Sequence, residues 1–161
     1  MNTDQAVTDL VLETFRLNGR LLAAGDELVA DLGLTSARWQ VLGAMALSPV
    51  PLSVAQIARN MGLTRQAVQR LVNEMQDDEL VQLAPNPHHQ RAKLVVLSLR
   101  GKTAFAGAMK RQTAWANKLA NGVTAREITT AAAMLRRLRQ RLERMENGQR
   151  SARQPQSATK S

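Results

Sequence analysis

Ser53-Val-Ala-Gln-Ile-Ala-Arg-Asn-Met-Gly-Leu-Thr-Arg-Gln-Ala-Val-Gln-Arg-Leu-Val-Asn-Glu-Met-Gln-Asp77 reads as two short helices joined by a tight turn. Ser53 and Gln56 form a capping box, in which hydroxyl and amide each satisfy a backbone N–H at a helix start. Ala55, Ile57, Ala58 and Met61 give the first helix an apolar side. Gly62 supplies the left-handed backbone of a sharp C-terminal turn, and Thr64 caps the helix that follows. Small Ala58 lets the second helix cross closely over the first. That is the arrangement of a helix-turn-helix, a DNA-binding motif.

The second helix carries the sharper signal. Its apolar residues are Ala67, Val68, Leu71, Val72 and Met75; its polar ones, Arg65, Gln66, Gln69, Arg70 and Asn73, repeat the pattern two positions earlier. At about 100° per residue, that offset puts the polar stripe on the opposite side. The stripe holds no acid before Glu74. Arg matches the acceptors of guanine, and Gln or Asn match the donor and acceptor of adenine. A solvated face on an ordinary core helix is the competing reading; the ordered turn chemistry beside it favours base reading.

Working outward, 161 residues suit one domain with a real core, and a hydrophobic content of 44% marks a globular chain. A net charge of +9 and a pI near 11.4 point to a polyanionic partner, nucleic acid first and an acidic membrane surface second. The absence of cysteine excludes disulfides, thiol sensing and Cys-ligated zinc. No apolar run approaches the ~20 residues that span a bilayer. The start is polar, with Asp4 and Asp9, so no secretory signal is expected and a cytoplasmic protein is.

Ahead of the motif, apolar residues recur at helical spacing from about Thr3 to Asp31, with Gly19 and Gly25 as places to bend or break. A helix this long has little within its own domain to pack against, so a dimer interface is the expectation and a capping helix the alternative. Gly33 punctuates, Thr35 starts a second helix through Trp39, Leu42 and Leu47, and Ser48-Pro-Val-Pro51 stops it. Leu52 bridges to the helix-turn-helix.

Behind the motif, Leu80–Ala84 and Lys93–Leu99 look like strands, with Val95, Leu97 and Leu99 on one side. They flank the polar loop Pro85-Asn-Pro-His-His-Gln-Arg91, a hairpin tip or wing. His88 and His89 are adjacent, which diverges on a strand, and no carboxylate accompanies them, so DNA contact is preferred to a metal. Gly101 precedes a long helix that stops at Asn121-Gly122, and Thr124-Ala-Arg-Glu127 caps another. Its seam is Ile128, Ala132, Leu135, Leu138 and Leu142. Arg136, Arg137, Arg139, Arg141 and Arg144 are either a solvated face or a surface for assembly or DNA. The tail from Asn147 is polar and basic and is expected to be disordered.

The expected fold is therefore mostly α with a small β-hairpin wing. Residues 1–34 form an N-terminal dimerisation helix, 35–100 the winged helix-turn-helix lobe, 101–146 C-terminal dimerisation helices, and 147–161 the tail.

This order resembles the MarR family of winged-helix regulators over roughly Val7 to Met145. The carrying residues are Arg38-Trp-Gln-Val-Leu42, Gln56-Ile-Ala58 with Gly62-Leu-Thr64, Asn86-Pro87, and Arg91-Ala-Lys93-Leu-Val-Val-Leu-Ser98, with Gly101 after the second wing strand. The resemblance implies a homodimer whose terminal helices interlock, a recognition helix in the major groove and a wing tip in the minor groove. DNA contacts then fall on Thr64, Arg65, Gln66, Gln69, Arg70 and Asn73, and on His88, His89, Arg91 and Lys93. One departure stands out: the family's wing often braces a basic residue with an Asp, and His89-Gln90-Arg91 has no acid there. Many members release DNA on binding a small, often aromatic anion. Arg38 beside Trp39 is the candidate contact for such an effector, with core Trp39 and surface Arg38 as the plainer alternative.

The expected function is a dimeric regulator of an inverted-repeat operator on double-stranded DNA, a repressor released by a small organic anion. The alternative is an architectural protein that coats DNA by charge. An enzyme is not expected: Asp77, Asp78 and Glu79 are the dense acids near the motif, and no nucleophile–base pair, phosphate loop, metal spacing or cofactor motif accompanies them.

Overall fold

Polar caps open the helices of this chain. The computed structural model describes residues 2–89 and 91–153, with side chains through Gln149. The order is α1 (Thr3–Val29), a 3-10 turn (Ala30–Leu32), α2 (Ser36–Ala46), β1 (Leu52–Ser53), α3 (Val54–Met61), α4 (Arg65–Asp77), β2 (Val81–Ala84), β3 (Leu94–Leu97), α5 (Leu99–Leu119) and α6 (Ala125–Arg153). Thr35 Oγ1 accepts from Arg38 N–H at 3.3 Å and starts α2. Ser53 and Gln56 make the reciprocal box on α3, with Ser53 N–H donating to Gln56 Oε1 at 2.8 Å. Thr64 Oγ1 accepts from Ala67 N–H at 3.2 Å and starts α4. Each cap satisfies donors that a helix start leaves over and contributes about 1 kcal/mol. Gly62, at φ 66°, makes the turn between α3 and α4 as expected.

Two compact units divide after Trp115. In the first, α2, α3 and α4 pack on a three-stranded antiparallel sheet of order β1-β3-β2. Leu42, Ile57, Val68, Val72, Met75, Leu80 and Val95 are among its fully buried side chains, each contributing about 1.5–3 kcal/mol by leaving water. Leu52, expected as a connector, is instead a strand residue opposite Val95. Gly25 does not break α1: a Cβ there would meet Ser36 Oγ at 2.1 Å, so the glycine admits α2 to close approach. Asp26 Oδ1 then accepts from Ser36 N–H at 2.6 Å. Gly101 does likewise at the start of α5, where a Cβ would meet the Leu80 carbonyl oxygen at 2.1 Å. Ser98 Oγ donates to the Glu79 and Leu80 carbonyls in the turn between α4 and β2, and accepts from Gly101 N–H at 2.9 Å. The helix thus begins earlier than expected, and Leu99 leaves the strand face to stand 83% exposed. Arg111 and Asp31, 2.6 Å apart, pin α5 to the 3-10 turn.

The second unit contains the end of α5, a turn with Gly122 at φ 80°, and α6. Thr124 N–H donates to Glu127 Oε2 at 2.8 Å and Glu127 N–H to Thr124 Oγ1 at 3.3 Å, the expected capping box. The Thr124 hydroxyl, which donates to Glu127 Oε2 at 2.6 Å, and after it the Thr124 N–H hold the Glu127 carboxyl below the usual carboxylate range. The helix continues to Arg153, which corrects the expectation of disorder from Asn147. Glu146, Gln149, Arg150 and Ala152 are good helix formers, and the lone Gly148 costs only about 1 kcal/mol. Residues 154–161 of the expected tail lie outside the described residues. No helix among the described residues is long and apolar enough to cross a membrane.

Candidate nucleic-acid interface

The α4 helix turns its two faces as its periodicity requires. Val68, Val72 and Met75 are buried, whereas Arg65, Gln66, Arg70 and Asn73 are exposed and Gln69 is half-buried. Gln69 Nε2 donates to Asn73 Oδ1 at 2.8 Å. That bond leaves Gln69 Oε1 as an acceptor and the Asn73 amide as a donor, the pair of groups an adenine edge asks for. Arg70 Nε lies 3.8 Å from Glu74 Oε1, with the arginine side chain 79% exposed. Such an exposed pair is worth under about 1 kcal/mol, so Arg70 can leave it at little cost.

The β2–β3 hairpin supplies the second wall. Ala84 pairs with Leu94, which closes the strands and leaves 85–93 as the wing loop. Asn86 shapes its turn by accepting from His88 N–H at 3.0 Å. A groove of about 810 Å³ runs between this loop and the helix-turn-helix. Of the expected contact residues, Arg65, Gln69, His88, His89, Arg91 and Lys93 line it together. Thr64, Gln66, Arg70 and Asn73 do not. Thr64 spends its hydroxyl on the cap, and the other three continue the stripe along the exposed side of α4.

The groove also contains Arg59, which the sequence reading passed over. It is the base on α3, placed in its last turn, and a look at both helices of the motif rather than the second alone would have found it. Arg91 is exposed and, among the described residues, no acid pairs with it. The missing bracing acid of the wing is therefore not replaced from elsewhere in the described fold.

Residues 32–92, which contain this lobe, its polar stripe and its basic groove, match the model of the family described as "MarR family". An uncharacterized protein of Mycobacterium tuberculosis is 35% identical over 132 residues, 82% of this chain and 91% of that protein. The chain belongs to the MarR family.

As a MarR-family protein it is a DNA-binding transcription regulator. The transcriptional activatory protein BadR of Rhodopseudomonas palustris is 24% identical over 142 residues, 86% of this chain and 81% of its own. The structure of CouR from Rhodococcus jostii RHA1 bound to p-coumaroyl-CoA has the same fold. Its TM-score is 0.72 at 22% identity, covering 81% of this chain and 91% of that one. Other solved MarR-family regulators share the fold too.

The two residues of the MarR-family chain expected to meet an effector are both engaged in the lobe itself. Arg38 Nη1 lies 2.7 Å from Asp78 Oδ2 and its Nη2 3.6 Å from Glu74 Oε2, with the side chain 19% exposed. Trp39 is half-buried against the core. Arg38 thus braces the C-terminal end of α4 from α2. The acids after α4 have structural partners: Asp78 takes Arg38, and Glu79 reaches Arg100 at 3.9 Å.

Proposed function

We propose that this MarR-family regulator works as a homodimer on an inverted-repeat operator, with one recognition helix per half-site. The observation that carries the reading is the acid-free stripe Arg65–Asn73 beside a groove lined by Arg59, Arg65, Arg91 and Lys93. Dimerisation is supported by two apolar surfaces. On α1, Val7, Val11, Leu12, Phe15, Leu21 and Leu22 are 37–70% exposed. On α6, Ile128, Leu135 and Leu142 are 39–59% exposed. A lone protomer would leave both in water. Two-fold symmetry then sets half-site centres about 34–36 Å apart.

In this reading the wing residues Arg91 and Lys93 hold phosphates or a minor groove, while Gln69 and Arg70 distinguish base pairs. Replacing Gln69 or Arg70 by Ala costs about 1–3 kcal/mol on the operator, concentrated at particular positions. Titrations on operator and scrambled DNA test it. Equal weakening of both duplexes by Gln69→Ala and Arg70→Ala would favour the alternative, an architectural protein that coats DNA by charge.

The regulator is further read as a repressor released by a small organic anion, a reading supported by the ligand in the CouR structure. Arg38 is spoken for by Glu74 and Asp78, so an anion there must compete with both acids. A shallow, mainly apolar recess of about 600 Å³ lined by Leu32, Leu99, Arg100, Thr103 and Ala104 offers an aromatic acid a wall and a guanidinium that meets only Glu79, at 3.9 Å. Either way, release requires the anion to favour a spacing of the lobes that DNA disfavours, by about 1–3 kcal/mol of coupling. Fluorescence titration of phenolic carboxylates against the protein and its Arg38→Ala and Arg100→Ala variants decides between the sites. A panel that leaves both fluorescence and operator binding unchanged removes the switch.

A further inference from the structure

The positive charge of this chain does not reside on the lobe that meets the operator. Residues 1–115 hold 12 Lys and Arg against 10 Asp and Glu, net +2, whereas residues 116–161 hold 10 against 3, net +7. Within α6 the acids are partly spent. Glu127 closes the cap with Thr124, and Glu143 pairs with Arg139. Among the described residues Arg126, Arg136, Arg137, Arg141 and Arg144 have no acidic partner, and all are exposed.

These arginines are not scattered around the helix. Arg126, Arg137 and Arg144 each stand two residues from a member of the apolar seam: Ile128, Leu135 and Leu142 respectively. At about 100° per residue that places them opposite the seam, and Arg141 lies within about 60° of them. Pairing of the seam with another helix therefore leaves this ridge in water. Like charges at i,i+4, such as Arg137 and Arg141, cost a helix a few tenths of a kcal/mol per pair, and a polyanion offsets that cost. Every base of α6 is an arginine, the side chain whose planar fork matches phosphate oxygens. The helix has no aromatic residue to anchor it at a lipid interface.

We propose that the ridge Arg126, Arg137, Arg141 and Arg144 is a second nucleic-acid surface, which holds phosphates without reading bases. It rests on the DNA-binding reading of the chain but uses none of the recognition-helix residues. Its occupant is the phosphate backbone of double-stranded DNA, either beyond the operator or on another duplex.

The test uses the full chain and a scrambled duplex. Each phosphate contact steepens the fall of log K with log salt by about 0.9, so R137Q/R141Q/R144Q lowers the slope by about 2.7. Between about 50 and about 200 mM salt, the wild type then loses about 40-fold more affinity than the variant. The charge-retaining R137K/R141K/R144K keeps most of the slope. Light scattering verifies that the Gln variant keeps its size. An unchanged slope at unchanged size overturns the proposal and makes the ridge a solvated face. Loss of binding to phosphatidylserine vesicles with an unchanged DNA slope overturns it in favour of a lipid surface. Gln69→Ala, run beside these, reports on base reading alone: it removes operator preference while leaving the slope on scrambled DNA in place, so the two readings fail separately.

Discussion

Arginine is used in two ways in this chain, and the contrast lies between the winged lobe and α6. In the lobe, Arg38 rests on Glu74 and Asp78, Arg70 reaches Glu74, and Arg100 reaches Glu79. The exposed bases beside them, Arg59, Arg65, Arg91 and Lys93, line one groove. In α6 the arginines project from a single exposed helix with few acids to meet them. Net charge therefore does not locate base recognition. On the proposed reading, bases are read by neutral donors and acceptors such as Gln69 and Asn73, which burial of Val68 and Val72 keeps on the outer face of α4. Holding phosphates takes only charge density, for which a single amphipathic helix suffices.

The sharpest way to break that contrast is at Gly101. With the Leu80 carbonyl oxygen 2.1 Å from an added Cβ, Gly101→Ala must part α5 from the turn that enters β2. Urea unfolding is expected to show a loss of about 2–4 kcal/mol, with operator binding lost as well. Stability within about 0.5 kcal/mol of wild type would mean that close approach does not hold the lobe.

Arg38→Ala comes next. It strips one cation from two acids, and the expected loss is about 1–2 kcal/mol, discounted because Glu74 and Asp78 are about half exposed. Glu74 is then left to Arg70, so if Arg70 reads a guanine as proposed, discrimination at that base pair should fall several-fold. A melt that shifts without any change in operator preference would separate the brace from recognition.

On α6 the same kind of substitution should have the opposite sign. Gly148 has nothing within 4 Å of an added Cβ. Gly148→Ala should stabilise the helix by about 0.5–1 kcal/mol, seen as added helical circular dichroism, because only propensity and chain entropy are at stake. A loss of stability there would show a packed neighbour and erode the contrast.

The smallest effect is at the α6 cap. Glu127 is held below the usual carboxylate range by Thr124, so its contribution is present above that range. It is lost as pH falls through the range to the lowered value. Protection of the amides near Thr124, taken relative to the intrinsic exchange rate at each pH, should fall on acidification in the wild type and stay constant in Glu127→Gln. Identical pH profiles would remove the cap from the account.

What was legible in the sequence is what depends on neighbours in the chain. Ser53, Thr64 and Thr124 announce helix starts because their partners sit three residues on. Gly62 announces a turn because a left-handed backbone is a property of one residue. The two faces of α4 follow from periodicity alone, which is why its stripe was readable to the residue. Other features have partners far along the chain. The strand Leu52–Ser53 exists because Val95 and Leu94 lie opposite it, and two residues carry no period of their own. Gly25 and Gly101 looked like interruption and punctuation; their meaning is a contact with Ser36 and with Leu80. Arg38 looked like a surface group or an effector contact, because Glu74 and Asp78 are brought to it only by the packing of α2 on α4.

The sequence by itself determined the helix-turn-helix, its caps, the reading stripe and the seam of α6, since capping and periodicity act within a few residues. Tertiary structure alone decided which bases share a groove, which arginine braces the recognition helix and which glycines are contacts, since each depends on residues brought together only when α2, α4, α5 and the sheet close around one core.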